Sequence, residues 1–336
     1  MKDMVTPDEI LTYARVTTLV LCIAGATYLD LKIRRVPNDW WISWSKPALF
    51  VLCLELWVLE ADWTIWLTAS AMVAYASTAV IGRPTIEDIR NGSPEDVLVS
   101  GWYLVSFVGL VGGVMRHLTP LMDGLGFGSM VGCDYCSSAA EIDAAYLWGQ
   151  MILIGAVLLF FEMCYQLRML HGGADAKAMM FVALCMPNWG ILPPADTALM
   201  PPALSLLIWG ALVFLVLPIY VFVQNAISGD AGNLRMAWHA RRLPLSTISK
   251  RHVWLLDEVM EGPDGEKKIV TKMRPRRGSR SESNLEKVLE ELAELGAEKA
   301  WTTEKYPFMA FLMIGILPML LLGDPVLVIL NLVGLP

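Results

Sequence analysis

Apolar runs long enough to cross a bilayer recur along this chain, and nothing else in it constrains the fold as strongly. A crossing helix needs about 20 mostly apolar residues, because the hydrocarbon core is about 30 Å thick and a helix rises about 1.5 Å per residue. Such runs are read at 11–29, 40–59, 63–81, 98–116, 144–166, 176–192, 203–226 and 307–333. Pro187 sits in the sixth, so an irregular outer end is expected there. Composition agrees: 55% of the residues are hydrophobic and only 18% charged, where a soluble domain carries about 25% charged. A soluble enzyme, a disordered chain and a nucleic-acid binder are excluded on these grounds. The expected fold is an all-α polytopic membrane protein of about eight transmembrane helices with a small α+β cytoplasmic domain.

The first run does not read as a cleaved signal peptide, since its leader is acidic and no small-residue cleavage site follows. Thr6-Pro7-Asp8-Glu9 instead reads as a helix start, with Thr6 as the cap and Pro7 at the first helical position. Short loops set the orientation. Lys32, Arg34, Arg35, Arg83, Arg90, Arg168 and Lys177 fall in alternate loops, while Glu60, Asp62, Asp123, Asp134, Glu141, Asp143 and Asp196 fall in the others. Apart from Arg116 at a boundary, the acidic loops hold no Lys or Arg, so the basic loops belong in the cytoplasm and the N-terminus outside. Residues 227–305 hold fifteen of the twenty-six Lys and Arg and are not membrane-like. His252–Leu256 and Lys268–Thr271 flank the turn sequence Gly262-Pro263-Asp264-Gly265, which predicts a β-hairpin. Arg274–Ser283 reads as a basic linker, and Leu285, Val288, Leu289, Leu292 and Leu295 recur at helical spacing. The domains read as 1–226 membrane, 227–305 cytoplasmic insert and 306–336 last span.

Polar chemistry in a membrane protein must stay where water reaches, so ionisable residues at span ends come first. Asp30 ends the first span and Asp175 opens the sixth, both on the cytoplasmic side of this topology. Two carboxylates held close cannot both stay ionised, and such a pair makes one base and one acid, enough to hydrolyse a peptide bond. Gly172-Gly173 removes side chains just before Asp175, where an extended substrate would approach. By spacing alone, the two aspartates read equally as a helix-end charge and a solvated boundary residue.

The wider motifs carry a resemblance. Gly172-Gly173-Ala174-Asp175 looks like the GxGD signature of intramembrane-type aspartyl proteases, in the version with a hydrophobic third residue. Asp30-Leu31-Lys32 through Val36-Pro37-Asn38 resembles the first aspartate motif of type IV prepilin peptidases, and Tyr306-Pro307-Phe308 resembles the motif that opens their last span. Together they are similar to the archaeal prepilin and preflagellin (prearchaellin) peptidases, over about 10–59 and 144–333. The resemblance implies a six-helix core plus an inserted pair. It also implies catalytic Asp30 and Asp175, with Gly172, Gly173, Ala174, Lys177, Pro37, Asn38, Pro307 and Phe308 binding substrate or supporting the motifs. No metal and no cofactor are expected. The implied partners are archaellin or pilin-like precursors and the lipid bilayer, with no nucleic acid. Residues 83–143 depart from the six-span plan, by an even number of spans that leaves both aspartates on one side.

Other features read more plainly. The lone Cys133-x-x-Cys136 pair reads as a local disulfide or free thiols, since structural zinc needs four ligands. Gly126-Phe127-Gly128-Ser129 resembles a serine-protease loop, with His117 its only nearby base. Glu162 reads first as snorkelling to the interface, with pairing to Arg168 or a place beside the active site as alternatives, and Gln224-Asn225, Arg15 and Glu55 read as headgroup contacts. The rival class is a proton- or cation-coupled transporter using Asp30 and Asp175, though no internal repeat is evident.

Overall fold

Thr6 opens the first helix as its sequence predicts. Its hydroxyl accepts from the Glu9 N–H while Glu9 accepts from the Thr6 N–H, a reciprocal cap at the start of α1 (Pro7–Ile33). The computed structural model describes residues 6–82, 87, 94–132, 136–170, 172–193, 198–249, 251–261, 266–274 and 282–334. After α1 come α2 (Asn38–Val58), α3 (Trp63–Ser77), α4 (Pro94–Gly124), α5 (Ala139–Gln166), α6 (Gly173–Cys185) and α7 (Pro202–Ile227). Then follow α8 (Leu234–Ala237), β1 (Arg241–Pro244), α9 (Leu245–Ile248), β2 (Val253–Leu255), β3 (Asp257–Glu261) and β4 (Lys267–Thr271). The chain closes with α10 (Glu282–Glu294), β5 (Lys299–Glu304), α11 (Phe308–Leu322) and α12 (Pro325–Val333). It divides into one unit of Met1–Gly210 with Phe308–Pro336 and a second of Ala211–Pro307.

Among the described residues, α1, α2, α4, α5 and α7 are long and apolar enough to cross a membrane. These apolar helices fit a membrane protein. The other expected runs resolve differently. Helices α3 and α6 have 15 and 13 residues, shorter than the expected runs of 63–81 and 176–192. Pro187 accounts for the end of α6, because the residue before a proline is driven out of helical geometry, as Met186 is at φ −123°. The last run is not one straight helix: α11 and α12 meet at 60°. Gly323 turns left-handed there, and Asp324 caps α12 by accepting from the Val326 N–H at 2.9 Å. The other Asp324 oxygen accepts from the N–H groups of Leu199 and Met200 at 2.7 and 2.8 Å, so the buried carboxylate also holds the chain ahead of α7.

Helix α6 is the centre of the first unit. Ala176 and every residue from Ala178 to Cys185 are buried, a helix apolar all round and therefore enclosed. Helices α1, α2, α5 and α11 pack around it.

In the second unit β1, β5 and β2 form an antiparallel sheet in that order. Leu243, Ile248, Val253, Leu255, Leu292 and Ala300 make its core. The hairpin exists with a shifted first strand. Lys267–Thr271 pairs with Asp257–Glu261, while Val253–Leu255 pairs with β5. The switch falls at Leu256, whose N–H donates to the Trp301 carbonyl and whose carbonyl accepts from the Lys272 N–H, each at 2.8 Å. The turn 262–265 and most of the basic linker, 275–281, lie outside the described residues. Asn225 is no headgroup contact: it is buried and donates to the carbonyls of Ala237 and Ala240 at 2.8 and 2.7 Å.

Candidate active site

Arg34 ends α1 one turn after Asp30. Its backbone is left-handed at φ 56° and its N–H donates to the Asp30 carbonyl at 3.0 Å. The chain then passes buried Val36 and exposed, extended Pro37, the residue just before α2. Asn38, first in α2, therefore comes back beside the end of α1. The sixth helix is entered the same way. Arg168, left-handed at φ 59°, follows the end of α5, and Gly172 caps α6 so that Asp175 falls in its first turn.

The two stretches meet. Lys177 Nζ donates to Asn38 Oδ1 at 2.7 Å, across 139 residues of sequence. Asn38 Nδ2 in turn donates to the Val80 carbonyl just past α3, at 3.0 Å. Asp30 and Asp175, both half-buried, lie within electrostatic reach of each other. Phe308 packs on the core at the start of α11, and the next carbonyl, of Met309, accepts from the Thr27 hydroxyl at 3.1 Å, one turn before Asp30. Ala174 also packs on that core. Pro307 belongs to the second unit. Beside it Tyr306 keeps its proton, because burial and then the Glu304 carboxylate push its phenol up.

The two glycines differ. A Cβ at Gly172 would strike the Asp175 carboxyl, whereas a Cβ at Gly173 would lie 3.7 Å from the Tyr165 hydroxyl, in ordinary contact. Neither has a positive φ. The space that Gly172 opens is filled by Asp175 itself.

Cavities flank the first turns of α6. One of about 230 Å³ between α2, α3, α4 and α6 is lined by Trp41, Leu49, Val73, Trp102, Lys177 and Phe181. Another of about 250 Å³, between α3, α5 and α6, is lined by Glu162, Tyr165, Gln166, Gly173 and Lys177. Glu162 thus borders the site rather than snorkelling. It accepts from the Tyr75 hydroxyl and from Gln166 Nε2, the latter at 2.8 Å. Tyr165 was not singled out from sequence. Its spacing of three from Glu162 was the available signal, since i and i+3 share a helix face.

The remaining candidates are structural. His117 Nε2 lies 2.8 Å from the Thr64 hydroxyl and 3.2 Å from Asp62, buried against Trp148, so it serves no serine. Cys136 is disulfide-bonded, Cys22, Cys53, Cys164 and Cys185 are free, and Cys133 lies outside the described residues.

No curated protein matches the chain. Residues 232–325 match the family model described as Archaeal Peptidase A24 C-terminus Type II. The match covers under a third of the chain and none of Asp30, Asn38, Asp175 or Lys177. It supports a prepilin-peptidase-family protein, and so a protease.

Proposed function

We propose that the chain is a membrane aspartyl endopeptidase that removes the short basic leader from archaellin or type IV pilin-like precursors. In this reading Asp30 and Asp175 are the catalytic pair, at the cytoplasmic membrane face. One observation carries it: carboxylates 145 residues apart in sequence come within electrostatic reach, and the Asn38–Lys177 bond ties α6 to α2, which only four residues separate from the end of α1. The peptidase match and the GxGD-like stretch support the same reading.

The chemistry follows from the pair. The ionised carboxylate takes a proton from water as its oxygen attacks the scissile carbonyl carbon. The protonated partner hydrogen-bonds the carbonyl oxygen and stabilises the charge that develops there. Collapse of the tetrahedral intermediate breaks the C–N bond, and the departing nitrogen takes a proton from the dyad. A leader carboxylate and a mature N-terminal amine result. The apolar cavity beside Lys177 suits the hydrophobic start of the mature chain, and the Glu162–Tyr165 cavity suits polar leader residues. A basic leader stays in the cytoplasm, and the Lys and Arg distribution supports a cytoplasmic-face site.

Co-expression with a candidate precursor tests the reading. Wild type should shorten the precursor on a gel, and Asp30→Ala/Asp175→Ala should leave it whole. Shortening by the double variant would overturn the assignment.

A further inference from the structure

Arg15 and Glu55 are buried charges that the proposed chemistry does not use. They are 3% and 7% exposed and lie in crossing-length helices, where a charge is costly unless paired. They are not headgroup contacts, because Arg15 Nη2 donates to Glu55 Oε2. Asn188 completes the cluster. Its Oδ1 accepts from Arg15 Nη1 at 3.1 Å, and its Nδ2 donates to Glu55 Oε1 at 3.1 Å and to Gln150 Oε1 at 3.3 Å.

These residues come from α1, α2 and the segment just after α6. The same three elements carry Asp30, Asn38 and Asp175 at their opposite ends. We propose that Arg15, Glu55 and Asn188 form a clamp that sets the spacing of Asp30 and Asp175. They are positioning residues, and their catalytic consequence rests on the protease reading above.

Leverage is the physical argument. Arg15 precedes Asp30 by fifteen residues, about 22 Å of helix. Over that length a tilt of about 3° moves the far end by about 1 Å, and a misplacement of that size can cost a reaction about 10²-fold. The Asn38–Lys177 bond pins the inner ends of α2 and α6 directly, and the short stretch 34–37 joins the inner ends of α1 and α2. A second attachment at the far ends fixes the relative tilt of α1, α2 and α6 where one would leave a pivot. A buried ion pair is also a poor source of stability alone, since apolar replacements of similar volume are often neutral or stabilising. Fold and clamp can therefore be separated experimentally.

The test uses the full chain in lipid vesicles with two readouts. The first needs no activity: cysteines replace Asp30 and Asp175, and a short thiol cross-linker joins them at a rate followed by mass spectrometry of the linked peptide. Adding Arg15→Met/Glu55→Leu should slow cross-linking about tenfold with the melting temperature held. Asn188→Ala, which keeps the ion pair but unties α6, should slow it less and stands in if the double variant does not fold. The second readout is precursor cleavage with the aspartates intact. There the same double substitution should lower kcat about 10–100-fold with KM unchanged. Slower linking in a folded variant supports the clamp even if no precursor is ever cleaved, which separates it from the protease reading. Unchanged linking in a folded variant overturns it, and so does unchanged kcat in an enzyme that cleaves.

Discussion

Gly172 leaves its neighbour little room. Because a Cβ there meets the Asp175 carboxyl, Gly172→Ala should lower precursor cleavage by about tenfold or more through displacement of the carboxyl proposed to be catalytic. Gly173→Ala, with ordinary contact to Tyr165, should cost far less. Equal losses in an assay of both purified variants would remove this distinction. Lys177→Met should likewise slow cleavage, because Asn38 loses the ammonium that ties α2 to α6; a rate equal to wild type would make that bond incidental. Asp30, Asn38, Asp175 and Lys177 stand out in the sequence because each sits in a short motif at a span end, and Asn38 and Lys177 meet in the structure. The pairing of Arg15 with Glu55 was not legible, and Glu162 kept several readings open. From one sequence, a charge near a span end reads the same whether it reaches for headgroups or for a partner forty or more residues away. Only the packing of α1, α2 and α3 against their neighbours decides it.

At the scale of elements, turn and cap chemistry read well where it is local. The Thr6 cap needs four consecutive residues and folded as read. Asp62 is a second such cap. It accepts from the N–H groups of Thr64 and Ile65 at 2.8 and 3.3 Å and pairs with Arg116 and His117 of α4. Burial acts to raise its pKa, but hydrogen bonds from Thr64 and Ile65 outweigh burial and hold it below the ordinary carboxylate value. A carboxylate depressed in the folded state adds stability that is present above its unfolded pKa, about 3.9, and is lost as pH falls through the folded value. Asp62→Ala should therefore cost about 1 kcal/mol at neutral pH, the usual worth of a cap. The gap in melting temperature between variant and wild type should start to narrow below about pH 4 and close once pH falls through the lower folded value; a gap that does not narrow as pH falls from about 4 would contradict the assignment. The hairpin was legible in kind but not in register. Val253–Leu255 and Asp257–Glu261 form one β-prone run, and their division between two sheets depends on the Trp301 and Lys272 partners of Leu256. The bend between α11 and α12 was hidden similarly, since Asp324 takes its extra partners from residues 199 and 200.

For the whole molecule, hydrophobic run length predicted a membrane protein, and the helices fit one. It could not show that α6 has nearly all of its apolar surface covered by other helices. Charge asymmetry predicts the arrangement across the bilayer: single cysteines at Lys32, Arg168 and Lys287 should label from the cytoplasm, and those at Glu60 and Ser137 from outside. Labelling of Lys32 and Ser137 from one side would contradict it. The family match lies in 232–325, so the catalytic claim rests on the first unit alone. Its most direct test is the cleavage rate of a purified precursor by the vesicle-embedded chain carrying Asp30→Asn or Asp175→Asn singly. A working pair fails when either member is lost, so each variant should be slower by about 10³-fold or more while still folded in the membrane. A rate near wild type in either variant would contradict the account.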